Sequence, residues 1–107
     1  MLTIGTFIKD GDDFVGAITT VTFQEQAAIL PNLDKRGKRS PDYRVYANGV
    51  QIGEAQKASG DDGAYLSVVI DDPSFASPVR CRLLDEGYGQ YRLDWNHRRE
   101  HAMGWNN

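Results

Sequence analysis

Four groups of residues in this 107-residue chain have types and spacings that could carry chemistry. The first is Asp71-Asp72, in the stretch "VIDDPSFASP". Paired carboxylates can hold a cation or divide acid and base roles, but only if they converge. Adjacent residues on an extended strand point to opposite faces, so these two do not. The stretch reads better as a corner. Asp72 can cap a single helical turn through the N–H groups of Ser74 or Phe75. Pro73 at the first helical position loses no needed donor, and Phe75 drops into the core. The second group is His97 and His101, four apart in "HRREH". On a helix they share a face. A tetrahedral zinc site needs further ligands, and Arg98 and Arg99 beside them disfavour a cation. No metal site is expected, and the segment reads as a solvated tail.

The third candidate is Cys81, the single cysteine. It lies mid-strand on the apolar side of "PVRCRLL", where a thiol behaves as a small hydrophobe. No serine sits in a G-x-S-x-G elbow. Glycines 5, 11 and 16 lack phosphate-loop spacing and precede strand rather than helix. No catalytic residue, cofactor or enzymatic activity is expected.

The fourth group is a face. Arg80, Arg82 and Arg92 alternate with apolar residues on two successive segments, and Arg44, Tyr46 and Tyr65 join them as outward residues. A loop adds Lys35, Arg36, Lys38 and Arg39, four cations in the five residues from 35 to 39. Arginine presents a planar fork of donors to carboxylate or phosphate. Tyrosine stacks on bases in single-stranded nucleic acid sites and is enriched, with arginine, in protein interfaces. These residues therefore read as a protein-binding face or, alternatively, a single-stranded nucleic acid face. The third reading is a solvated sheet whose charge Asp94 and other carboxylates balance. A formal net charge of -3 favours a protein partner over nucleic acid.

Strands must position this face. In "AYLSVVI", Leu66, Val68 and Ile70 share one side. Val79, Cys81 and Leu83 do so in "PVRCRLL", and Tyr91, Leu93 and Trp95 in "QYRLDW". Period two over three segments predicts half-buried antiparallel strands. The start predicts a hairpin, "LTIGTFIK" and "FVGAITTVTF" around "DGDD". With Asp10-Gly11 as a type I′ loop, Phe7 lies opposite Phe14 and Gly5 opposite Gly16. A short strand is expected through Ala28-Ile29-Leu30, then the basic loop, which Pro41 closes. Asn48-Gly49 marks a second hairpin, and "KASGDDGA" reads as a further loop. Only "NHRREHAMGW" has the pattern of a short helix.

The chain reads as one β-rich domain, 1–107, with 96–107 as a tail. The expected architecture is all-β: a small antiparallel sheet closing toward a barrel or sandwich, with a short C-terminal helix or tail. Hydrophobic residues at 40% and charged residues at 25% are ordinary for a globular protein. No apolar run is long enough for a membrane helix, and the N-terminus lacks a signal-peptide pattern. A lone cysteine fits a reducing, cytoplasmic setting.

Three stretches together resemble the DUF736 family of small bacterial proteins: "TIGTFIKDGDDFVGAITTVTF", "PDYRVYANGVQIGEA" and "YLSVVIDDPSFASPVRCRL". Their order and spacing carry the resemblance, which covers roughly residues 3 to 95. Such proteins are often encoded on plasmids and other mobile elements. The resemblance thus implies an accessory role in mobile-element biology and supplies no catalytic residues. A concrete form would be a protein-binding inhibitor of a host defence complex, such as an anti-CRISPR protein, acting on a host nucleoprotein complex. The chain departs from the pattern at Gln56, before Lys57, where such proteins tend to have tryptophan in "GxAWKK". The tail from Asn96 to Asn107, with Trp105, extends beyond the usual end.

Overall fold

Period-two alternation becomes strand along most of the chain. The computed structural model describes residues 2–95 apart from Thr22, Asp62 and Ser74. Eight strands follow one another: β1 (Leu2–Asp10), β2 (Asp13–Thr19), β3 (Gln24–Pro31), β4 (Tyr43–Ala47), β5 (Val50–Gly60), β6 (Gly63–Ile70), β7 (Val79–Gly87) and β8 (Gln90–Trp95). Each pairs antiparallel with the next, and β8 returns to pair with β1, so the sheet closes into a barrel. Of the two expected architectures, the barrel is the one formed. No helix occurs among the described residues. The expected C-terminal helix or tail, with His97, His101 and Trp105, lies outside them.

An eight-stranded barrel is just wide enough for side chains to fill. Phe7, Ile18, Ile29, Val45, Val68, Ile70, Leu83 and Leu93 are the largest fully buried side chains among the described residues. Leu66, Val68, Ile70, Cys81 and Leu83 all face inward, as the alternation predicts. Aromatic contacts close both ends. At the end carrying the β1–β2, β3–β4, β5–β6 and β7–β8 connections, the upper end, Phe14 meets Tyr43 and Tyr91 edge-on at 5.8 and 4.8 Å. At the lower end Phe23 meets Phe75 at 5.5 Å. Phe75 is carried there by the acidic corner, where its N–H donates to the Asp72 carbonyl at 2.8 Å. A main-chain bond closes that corner, and Phe75 is the anchor the sequence predicts.

Three local expectations are corrected. The first hairpin turns through Gly11 and Asp12, because Asp10 faces Asp13. Phe7 therefore lies opposite Gly16 and not Phe14, and Gly5 opposite Ile18 and not Gly16. The shift is two residues, which preserves the faces. Close approach of the strands explains it: a Cβ on Gly16 would lie 1.9 Å from the Thr6 carbonyl oxygen. Only glycine fits at that point. Second, most of "KASGDDGA" is strand. Lys57 faces Leu66, Ala58 faces Tyr65 and Gly60 faces Gly63, so β5 runs past the expected loop. Third, β3 begins at Gln24 and not at Ala28. In both cases a polar stretch pairs with a neighbour that needs a partner, and pairing overrides propensity. The Asn48-Gly49 hairpin forms as expected, with both residues at positive φ, 51° and 82°.

Candidate partner-binding face

The outward arginines and tyrosines fall into two groups. Tyr65 on β6, Arg82 on β7 and Arg92 on β8 come together on three adjacent strands. They line a groove of about 590 Å³ with Leu84, Asp94 and Asp61. Arg44 and Tyr46 stand on β4, with β5 between them and β6. Tyr46 lines a separate groove of about 530 Å³ with Val15, Ala28 and Leu30. The single face expected from alternation is thus divided by the curvature of the barrel. Arg80 is exposed and faces Val69, nearer the lower end than Arg82.

Within the first groove the two arginines are held differently. The Arg92 Nε–H donates to both carboxylate oxygens of Asp94, at 2.9 and 3.0 Å. Its terminal nitrogen donates to Glu86. Asp94 and, after it, Glu86 raise the pKa of that guanidinium further. Asp94 also accepts the Thr3 hydroxyl at 2.8 Å. Its place in the alternation is outward, yet it is 5% exposed. Arg92 and Thr3 cover it. Arg82 lies directly across from Asp94 in the ladder but is not bonded to it. Its guanidinium carbon sits 4.8 Å from the centre of the Tyr65 ring. Stacking uses the face of the fork and leaves its in-plane N–H donors open. Among the described residues Arg82 has no hydrogen-bond or ion-pair partner.

The second group is committed to structure. The Arg44 Nε–H donates to the Asn32 side-chain oxygen at 3.2 Å and its terminal nitrogen to Gln51 at 3.4 Å. Asn32 is buried and braces the basic loop. Its amide donates to the Pro41 carbonyl at 2.9 Å, and its oxygen also accepts the Asp34 N–H at 3.1 Å. Asp42 closes the loop from the other side, bound to the Lys35 ammonium and to the Lys57 N–H. Those two bonds, Lys35 first, hold the Asp42 carboxyl below the usual carboxylate range. Arg36 pairs with Asp34 at 3.2 Å. Of the four loop cations, Lys38 and Arg39 are exposed at the tip without a partner among the described residues.

Sequence reasoning missed Asp94, Asp42 and Asn32 as organisers. It also missed an outward apolar row, in which Ile8 faces Val15, Val15 faces Ala28 and Ala28 faces Tyr46 across β1 to β4. Ile8 is 59% and Val15 40% exposed. The pattern was readable one strand at a time; the row needs the register. Cys81 is in the core, and burial, with the Asp94 carboxylate behind it, pushes its thiol up to about 12. No group of three or more His, Cys, Asp or Glu with metal-site geometry occurs among the described residues.

No curated protein and no solved structure shows significant similarity to the chain. The family model described as a protein of unknown function, DUF736, matches residues 3–98. With that match spanning most of its length, the chain belongs to the DUF736 family.

Proposed function

We propose that this is a non-enzymatic, protein-binding accessory factor, and that it docks an acidic segment of its partner against the Tyr65–Arg82 groove. The observation that carries this reading is the open guanidinium on Tyr65, framed by the carboxylates of Asp61 and Asp94. A strand of nucleic acid needs a track of cations for successive phosphates. Here Arg92 is already matched by Asp94 and Glu86, and Arg44 by neutral amides. A single open guanidinium beside an aromatic ring suits a protein surface better, because one fork seats one carboxylate without a continuous track of charge. The apolar row from Ile8 to Tyr46 adds the kind of surface that protein partners cover. The role in mobile-element biology, and its concrete form as an anti-CRISPR inhibitor, belong to the same proposal and rest on small size and the resemblance alone.

Fluorescence anisotropy with labelled oligo-glutamate and oligo-thymidine probes tests the groove. Binding of the glutamate peptide should fall about tenfold in Arg82→Ala and stay low in Arg82→Lys, since lysine lacks the fork. Oligo-thymidine bound more tightly than the peptide, with loss of roughly 1–3 kcal/mol in Tyr65→Ala, would favour a single-stranded nucleic acid binder instead.

A further inference from the structure

Two tight turns of this barrel have both central residues at positive φ and differ in chemistry. Asn48-Gly49 joins β4 to β5 with φ of 51° and 82°; Tyr88-Gly89 joins β7 to β8 with φ of 57° and 77°. Two successive left-handed residues make the type I′ turn that matches strand twist. Asparagine adopts that conformation readily because its short polar side chain bonds locally. Tyrosine does not, and a bulky residue there is strained. The fold gains no visible compensation. Tyr88 is fully exposed at 104%, and among the described residues its ring meets no other ring and no cation. Strain of this kind persists where the side chain serves something other than packing.

The surroundings indicate what it serves. The Lys9 N–H donates to the Gly89 carbonyl at 2.9 Å, which sets this turn beside the tip of the β1–β2 hairpin. That tip carries Asp10, Asp12 and Asp13, none paired among the described residues. The neighbouring cation is occupied: the Lys9 ammonium donates to the Gly11 carbonyl at 2.8 Å and lies 4.9 Å from the centre of the Phe14 ring. On the β7 side, Asp85 accepts the Gly87 N–H, and Glu86 holds Arg92. What remains available is one aromatic face and three carboxylates.

We propose that the Tyr88 turn is the anchor of a second docking surface, for a cationic protein segment. An arginine or lysine of that segment stacks on the Tyr88 ring, and flanking cations meet Asp10, Asp12 and Asp13. The molecule already contains the stacking geometry, in Arg82 on Tyr65. Charge complementarity selects a basic partner here, whereas the Tyr65–Arg82 groove selects an acidic one. The two surfaces therefore stand or fall separately.

Tyr88→Asn gives this turn the residue that occupies its twin. The melting temperature should rise by about 4 °C as the strain is relieved. Affinity for a labelled oligo-arginine peptide at about 0.15 M salt should fall about fourfold, the scale of an exposed cation–π contact. Tyr88→Phe should keep that affinity. Neutralising Asp10, Asp12 and Asp13 to asparagine together should weaken binding further and flatten its salt dependence. Unchanged peptide affinity in Tyr88→Asn would overturn the proposal, because attraction to the three aspartates would then account for all binding. A lower melting temperature in Tyr88→Asn would overturn it too, because the ring would then support the fold.

Discussion

Arg82 and Arg92 stand on neighbouring strands of one outer face and lie within reach of the same carboxylate. Asp94 faces Arg82 across the ladder, yet it is bonded to Arg92, two residues along its own strand, and to Thr3 on β1. One arginine has become a structural tie between β8 and β7, and the carboxylate it holds reaches across the seam to β1. The other has been left with an aromatic ring and open donors. A count of surface arginines treats them as equal. The bonds each guanidinium makes decide which of them is available to a partner.

Removing the shared carboxylate should have the largest effect. Asp94→Ala breaks three hydrogen bonds at a buried oxygen pair and should lower stability by about 2 kcal/mol in urea unfolding. It should also free Arg92, so the glutamate peptide should bind more tightly than to the wild type. Weaker binding would mean that Asp94 positions Arg82 after all. An intermediate effect is expected from the stack. A double-mutant cycle of Tyr65→Ala and Arg82→Ala should give a coupling of about 0.5–1 kcal/mol, and Arg82→Ala alone should lower stability by about the same amount. Zero coupling would reduce the stack to coincidence.

The smallest effect concerns the same contrast inside the basic loop, where Asp42 ties Lys35 and leaves Lys38 and Arg39 open. The Asp42 carboxyl is held below its ordinary value, so the folded chain binds this proton less readily than the unfolded one. Its contribution is complete above the ordinary carboxylate range and is lost as pH falls through the lower, folded value. Asp42→Asn should therefore cost about 0.5 kcal/mol at neutral pH. The two stability curves should converge below about pH 4. A constant gap across that range would show that the carboxylate's charge is not what matters.

Much of the barrel could be read from period two. Leu66, Val68 and Ile70 declare their face without help, and Asn48-Gly49 declares its turn. What alternation cannot report is adjacency. It says that Arg44 and Arg82 both face outward, but not that β5 and β6 separate β4 from β7. It assigns Asp94 to solvent, because burial there comes from Thr3, at the other end of the chain. The same gap hid the Phe7–Gly16 pairing, which depends on how closely two strands approach. The acidic corner was legible as a turn because the bond that closes it, from the Phe75 N–H to the Asp72 carbonyl, lies within five residues.

Closure of the ladder has a consequence for how such a protein changes over time. With β8 paired to β1, none of the described strands is an edge strand of an open sheet that a visitor could extend. Recognition must then be written in outward side chains, which alternate with the inward ones and share little with them energetically. Under the proposed function, substitutions at Tyr65, Arg82 or Tyr88 would exchange one partner for another while Phe7, Ile29 and Leu93 keep the interior unchanged.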